Sequence, residues 1–213
     1  MTITEPMTLL TDYVLAGVTG WLGWRLWAAR DEQASRGLWA VAFGALAVAA
    51  LAGGSHHGYT LLLPEGLLHA LWKVTVFSVG IASFSMVCGS AIAVTSGRAR
   101  SLLLALAVAK LVFYSLWMVA HDQYIFVIVD TGAAMLGIAA LHLWSRFRHA
   151  DAASRWMLAA IAVSVLAAGV QAAGVAPHPH FNHNDLYHVI QVAAMVLFYK
   201  GAKLLRDRPK TAP

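Results

Sequence analysis

Seven long apolar runs, separated by short connections, constrain this chain more than any other feature. An α-helix needs about 20 apolar residues to cross the hydrocarbon core of a bilayer, and lipid leaves the backbone few alternatives to a helix. We therefore predict an all-α fold, a polytopic membrane bundle of seven transmembrane helices. Residues 1–205 would form a single domain, followed by a short tail over 206–213. The runs cover approximately 9–29, 37–57, 66–96, 101–120, 123–145, 154–174 and 184–204.

The composition agrees with a membrane protein and argues against a soluble one. Hydrophobic residues make up 60% of the 213 residues and charged residues 12%. Soluble domains contain roughly 45–50% apolar and about 25% charged residues. The net charge of +5 follows membrane topology, so we expect no nucleic-acid partner.

Basic residues mark one side of the predicted bundle. They flank the loops after the first, third and fifth runs and end the chain, while the alternate loops contain no Lys or Arg. The positive-inside rule then predicts a cytoplasmic C-terminus and an external N-terminus. We expect a multi-pass protein of a bacterial inner membrane with its N-terminus in the periplasm and residues 206–213 in the cytoplasm.

Histidines gather at the opposite, extracytoplasmic side. Eight of the ten lie where the runs meet that face, and only His142 and His149 lie at the other. Imidazoles brought to one depth from four helix ends indicate a functional site, and neutral imidazole is the commonest metal ligand. The eight are His56, His57, His69, His121, His178, His180, His183 and His188.

Three of these histidines could complete a metal site. A catalytic zinc takes three protein ligands and keeps one position for water. We predict zinc bound by His57, His183 and His188, with His56, His69 and His121 as alternative ligands or their partners. The chain contains no strict motif such as HExxH. Hydrogen-bonded interfacial histidines without a metal are therefore the alternative.

Four ionisable residues inside the runs or at the start of one are further candidates. Lys73 and Asp130 each lie about 12 Å below an outer helix end, and we expect them to pair because an unpaired charge there costs several kcal/mol. Lys110 could share Asp130 or extend to the interface. Asp185, at the start of the last run, could bond a histidine ring or cap its helix.

At these residues the chain resembles the CREST superfamily, seven-span membrane proteins that include the alkaline ceramidases and the progestin/adiponectin receptors. The family pattern has Ser and, four residues later, His on span two, Asp on span three, and His-x-x-x-His on span seven. His57 and His188 match this pattern, whereas Gly53 and Asn184 replace its Ser and first span-seven His. Span three has no aspartate, and Asp130 of span five could replace it.

The resemblance implies a function. The family's histidines hold a zinc ion whose water attacks an amide carbonyl. We accordingly predict a zinc-dependent hydrolase of a lipid amide or ester, with Asp130 or Asp185 as general base and Lys73 stabilising the oxyanion. The alternatives are a non-enzymatic receptor or sensor for a lipid or small molecule, a transporter using Lys73, Asp130 and Lys110, and a b-type cytochrome with paired haem-ligating histidines.

Overall fold

The computed structural model describes residues 3–209, and within them it contains seven α-helices, which confirms the predicted all-α class. Each helix overlaps one of the predicted apolar runs. The helices are α1 (Pro6–Ala28), α2 (Ala34–Gly58), α3 (Glu65–Val94), α4 (Gly97–Ala120), α5 (Ile125–His149), α6 (Ala152–Ala172) and α7 (His183–Ala202).

Six of the helices form a closed ring. In order they are α1, α2, α3, α5, α6 and α7, and α7 packs against α1 to complete the circle. Helix α4 lies outside the ring against α3. Its Tyr114 covers Gly80 of α3, where an added Cβ would lie 2.5 Å from the ring. The Tyr114 hydroxyl also donates to the Val76 carbonyl at 2.9 Å, so this contact fixes α4 on the outer face.

The end of the ring that carries the basic loops is filled by a packed apolar cluster. Its largest side chains, Trp39, Phe43 and Phe198, are fully buried. At the same end the carboxylate of Asp207 accepts hydrogen bonds from the first backbone N–H groups of α2. The described part of the predicted tail, residues 206–209, thus contacts the bundle, and residues 210–213 lie outside the described residues.

Among the described residues, five helices, α2 to α6, are long and apolar enough to cross a membrane. This is compatible with a multi-pass membrane protein. Helices α1 and α7 have 23 and 20 residues, but they carry more polar side chains. Asp12 of α1 and Asn184, His188 and Gln191 of α7 all line a space inside the ring.

Candidate functional site

The structure brings the histidine-rich segments to one end of the ring. The backbone N–H of Thr4 donates to the Gly58 carbonyl at 3.0 Å, which joins the N-terminus to the end of α2. The Trp72 indole N–H donates to the Asp122 carbonyl at 3.0 Å, which joins α3 to the α4–α5 loop. Helix α7 begins at this end, at His183.

A pocket of about 350 Å³ opens among the ring helices at this end. Its lower wall is mostly apolar. Met195 lies seven residues beyond His188, so the pocket reaches about 10 Å into the bundle. The pocket is therefore amphipathic, polar near the helix ends and mostly apolar below. Its upper wall includes Asp12, His57, Tyr124, Gln171, Asn184 and His188, and its lower wall includes Leu15, Leu46, Val79 and Met195.

A buried carboxylate–imidazole pair lies on the upper wall. Oδ1 of Asp12 is 3.3 Å from Nε2 of His188, and Nδ1 of His188 is 3.0 Å from the Thr11 hydroxyl oxygen. That hydroxyl lies 3.0 and 3.1 Å from the carbonyls of Met7 and Thr8. Its single hydrogen is donated either to one of these carbonyls or to the imidazole, depending on which ring nitrogen of His188 carries the proton. Both ring nitrogens of His188 are thus engaged by α1.

The three predicted zinc ligands do not converge in this structure. His57 lines the same pocket as His188, and its Nδ1 lies 3.6 Å from the Glu5 carboxylate. His183 starts α7 but does not line the pocket. Within residues 3–209, no group of three or more His, Cys, Asp or Glu side chains is arranged to hold a metal. Zinc binding stays a prediction.

Two of the alternative ligands, His56 and His69, line a second, more open pocket, and His121 does not. Nδ1 of His56 faces the Leu68 carbonyl at 3.1 Å, and the His121 ring stacks on Trp117 at 4.1 Å. Trp72 belongs to both pockets and separates them. The second pocket is lined by His56, His69, Trp72 and Asp122.

Lys73 lies outside the main pocket, and the predicted Lys73–Asp130 pair is wrong. Nζ of Lys73 is 2.8 Å from Oδ1 of Asp122 and donates to the carbonyls of Met118 and His121 at 2.6 and 3.2 Å. The last carbonyls of a helix have no intrahelical partner, and the flexible lysine reaches up to those of α4. The hydrogen bond from Lys73 lowers the pKa of Asp122, which lies in the loop, below its usual value of 3.8.

Asp130 pairs instead with Lys110, one of the two predicted alternatives for that lysine. The carboxylate lies 2.5 Å from Nζ of Lys110 and accepts from the Ser83 hydroxyl at 2.5 Å. This cluster joins α3, α4 and α5 and does not line the main pocket. It is a contact between helices.

Asp185 caps α7, which was one of the two roles predicted for it. Its carboxylate accepts from the Asn182 backbone N–H at 2.7 Å, and the Asn182 side chain accepts from the N–H groups of Asn184 and Asp185. It also accepts from the Thr8 hydroxyl at 2.9 Å. Asp185 therefore ties α7 to α1. The structure thus brings none of the three predicted catalytic residues, Asp130, Lys73 and Asp185, onto the pocket wall.

Sequence reasoning missed Asp12, whose carboxylate lies 3.3 Å from Nε2 of His188. Its signal was present, because an ionisable residue within a span is typically functional and has a partner. The partner could not be named, because nothing in the sequence puts α1 beside α7. Trp72 and Tyr124 also line the pocket.

A family model described as a family of unknown function (DUF6962) matches residues 7–207. The chain therefore belongs to this family, and the match covers almost all of the seven-helix bundle. No curated protein and no solved structure matched the chain.

Proposed function

We propose that this member of the family is a membrane protein that binds an amphipathic, lipid-like molecule between its helices. The observation that carries the proposal is one pocket of about 350 Å³ with the Asp12–His188 pair at its upper end and apolar side chains below. Ligand pockets are typically about 300–1,000 Å³, mostly apolar, with a few polar groups that orient the ligand. A receptor or sensor for a lipid or small molecule is the function best supported.

The lower end of the pocket supports binding over transport. Met195 lines the pocket and also packs in the buried cluster with Trp39 and Phe198. A permeating ion would have to pass this apolar cluster, where an unpaired charge is expensive. The lysines predicted to form a relay, Lys73 and Lys110, are engaged elsewhere.

We further propose that all seven helices cross the membrane. At about 1.5 Å per residue, the 23 residues of α1 and the 20 of α7 are long enough for a core about 30 Å thick. The basic end of the bundle would face the cytoplasm, so the pocket would open to the periplasm of a bacterial inner membrane. A green fluorescent protein fused to the C-terminus should then fluoresce, and a C-terminal alkaline phosphatase should be inactive.

A specific observation favours a lipid amide or ester hydrolase as the second candidate. Gly53, His57, Asn184 and His188, the positions of spans two and seven compared with the CREST pattern, all line one pocket, which supports the proposed resemblance, whereas Asp130, offered for the family's aspartate, does not line it. The Asp12–His188 pair could accept and return a proton. A zinc ion held by His57 and His188 would require one nitrogen of His188 to give up its contact with Thr11 or Asp12, and it would then supply an activated water and polarise the carbonyl. Release of fatty acid from N-acyl and O-acyl lipids, lost in His188→Gln, would support this candidate, and no release from either would exclude it.

The binding proposal can be tested by filling the pocket. An added Cβ at Gly53 would make ordinary contacts of 3.6 Å with Thr75, so Gly53→Leu extends into the pocket without a backbone clash. Native mass spectrometry of the purified protein would measure binding of a medium-chain primary alcohol. We expect affinity to fall at least about tenfold, which corresponds to about 1.4 kcal/mol.

The matched control is Gly44→Leu, the same substitution on the same helix. An added Cβ at Gly44 meets nothing within 4 Å, so binding should be unchanged. Equal binding by both variants and the wild type would show that the alcohol occupies another place, and the proposal would fail.

A further inference from the structure

Two polar atoms of the pocket-lining residues have no hydrogen-bond partner within residues 3–209. They are the hydroxyl oxygen of Thr19 on α1 and the amide oxygen of Gln191 on α7. The Thr19 side chain belongs to a residue only 1% exposed. Buried polar groups without partners are rare in native proteins, and each one needs an explanation.

Thr19 differs from other helical threonines of this chain. The hydroxyls of Thr11, Thr75 and Thr95 each donate to the carbonyl four residues earlier, at 3.0, 2.9 and 2.7 Å. This local bond is the ordinary solution for a threonine inside an apolar helix. The Thr19 hydroxyl does not make it, so within residues 3–209 its hydrogen-bonding capacity is unused although the residue lines the pocket.

Both atoms lie below the polar mouth. Thr19 is seven residues beyond Asp12, or about 10 Å, and Gln191 is three residues beyond His188, or about 4–5 Å. Leu15 and Met195 line the pocket at this level. A purely apolar ligand tail would leave both polar groups buried and unpaired, which is unfavourable.

We propose that the ligand carries a second polar group, a hydroxyl within its apolar part, which Thr19 and Gln191 bind. This inference rests on the proposed amphiphile binding and names the chemistry of the ligand. An amide oxygen only accepts hydrogen bonds, whereas a threonine hydroxyl both donates and accepts. A ligand hydroxyl can donate to Gln191 and accept from Thr19, so it satisfies both.

The test compares two probes on the purified full-length protein. One is a medium-chain primary alcohol, and the other is the same alcohol with a second hydroxyl near the middle of its chain. Wild type should bind the diol about five- to tenfold more tightly, as expected for one or two added hydrogen bonds. Thr19→Val and Gln191→Leu should each lower the ratio of diol affinity to plain-alcohol affinity toward one, because each removes a partner of the second hydroxyl.

Thr75→Val is the matched control. Thr75 also lines the pocket, but its hydroxyl already donates to the Leu71 carbonyl. This variant should keep the preference for the diol. Thr19→Val should also melt at a temperature no lower than wild type, because it removes an unpaired buried hydroxyl, so loss of preference could not be ascribed to misfolding.

The outcomes separate this inference from the proposed function. Equal binding of the two probes by wild type would overturn the inference and leave amphiphile binding intact, since water would then satisfy both atoms. A preference that persists in both variants would also overturn it. Binding of neither probe would overturn both proposals.

Discussion

Asp12 and His188 lie 3.3 Å apart although one belongs to the first helix and the other to the last. Asp12 is 6% exposed, and the imidazole is held on its other side by Thr11. This pair joins α1 to α7, closes the helical ring and gives the pocket its polar end. The same contact therefore serves the fold and the site.

Removal of Asp12 should weaken both the packing of α1 against α7 and the polar end of the pocket. In Asp12→Ala the Nε2 atom of His188 loses its partner in a buried position, which costs about 1–3 kcal/mol. Asp12→Asn keeps a polar partner and should lose less. Denaturant or thermal unfolding in detergent would measure this order. Equal stability of the alanine variant and the wild type would mean that the pair does not hold the ring closed.

The Lys110–Asp130 pair should affect stability and leave ligand binding unchanged. Asp130→Ala leaves the lysine without its counter-charge, and loss of one partner of a buried pair costs about 3–5 kcal/mol. The Lys110 side chain is 26% exposed, so we expect the lower end of that range. The double variant Lys110→Met/Asp130→Leu should recover most of the loss.

Binding of the alcohol probe gives the functional readout for this pair. The double variant should bind like the wild type because neither residue lines the pocket. If the refolded double variant bound no probe, or if hydrolysis were found and then lost in it, Asp130 would have the catalytic role predicted from the sequence.

The cap of α7 offers a third test. Asp185→Ala removes the acceptor for the Asn182 N–H and for the Thr8 hydroxyl. Loss of a cap typically costs about 0.5–2 kcal/mol, and the lost bond to α1 puts this variant at the upper end. Asn182→Ala loses the cap alone and should cost less. Hydrogen exchange of the first turn of α7 would reveal the difference, and equal protection in both variants would contradict a link through Thr8.

The sequence predicted the helices well because each depends on a local property, a long run of mostly apolar residues. It also predicted which helix ends carry the histidines. Ring order was not accessible, because α4 lies outside through the fit of Tyr114 over Gly80. The prediction that Lys73 pairs with Asp130 failed for the same reason. Depth along a helix put Lys73 level with Asp130, but only the packing decided which carboxylate each lysine reaches.

The Lys73–Asp122 contact predicts that the stability of the folded protein decreases at acidic pH. The hydrogen bond lowers the pKa of Asp122 in the folded state below 3.8, so its stabilisation is complete above that value and is lost as pH falls through the lower folded-state pKa. Melting temperatures of wild type and Asp122→Asn should therefore differ near neutral pH and converge in strong acid. A constant difference across this range would mean that ionisation of Asp122 contributes nothing.

Metal removal separates the two proposed functions. The Thr11 hydroxyl is hydrogen-bonded to Nδ1 of His188 and the Asp12 carboxylate lies 3.3 Å from its Nε2, so protein groups alone hold the polar end of the pocket. Chelator-treated protein should therefore bind the alcohol probe like untreated protein, while any hydrolysis of lipid amides or esters should disappear and return with zinc. Binding that is lost on chelation and restored by zinc would contradict this. The metal would then hold the ligand, and His57→Ala and His188→Ala should each lose bound zinc in elemental analysis.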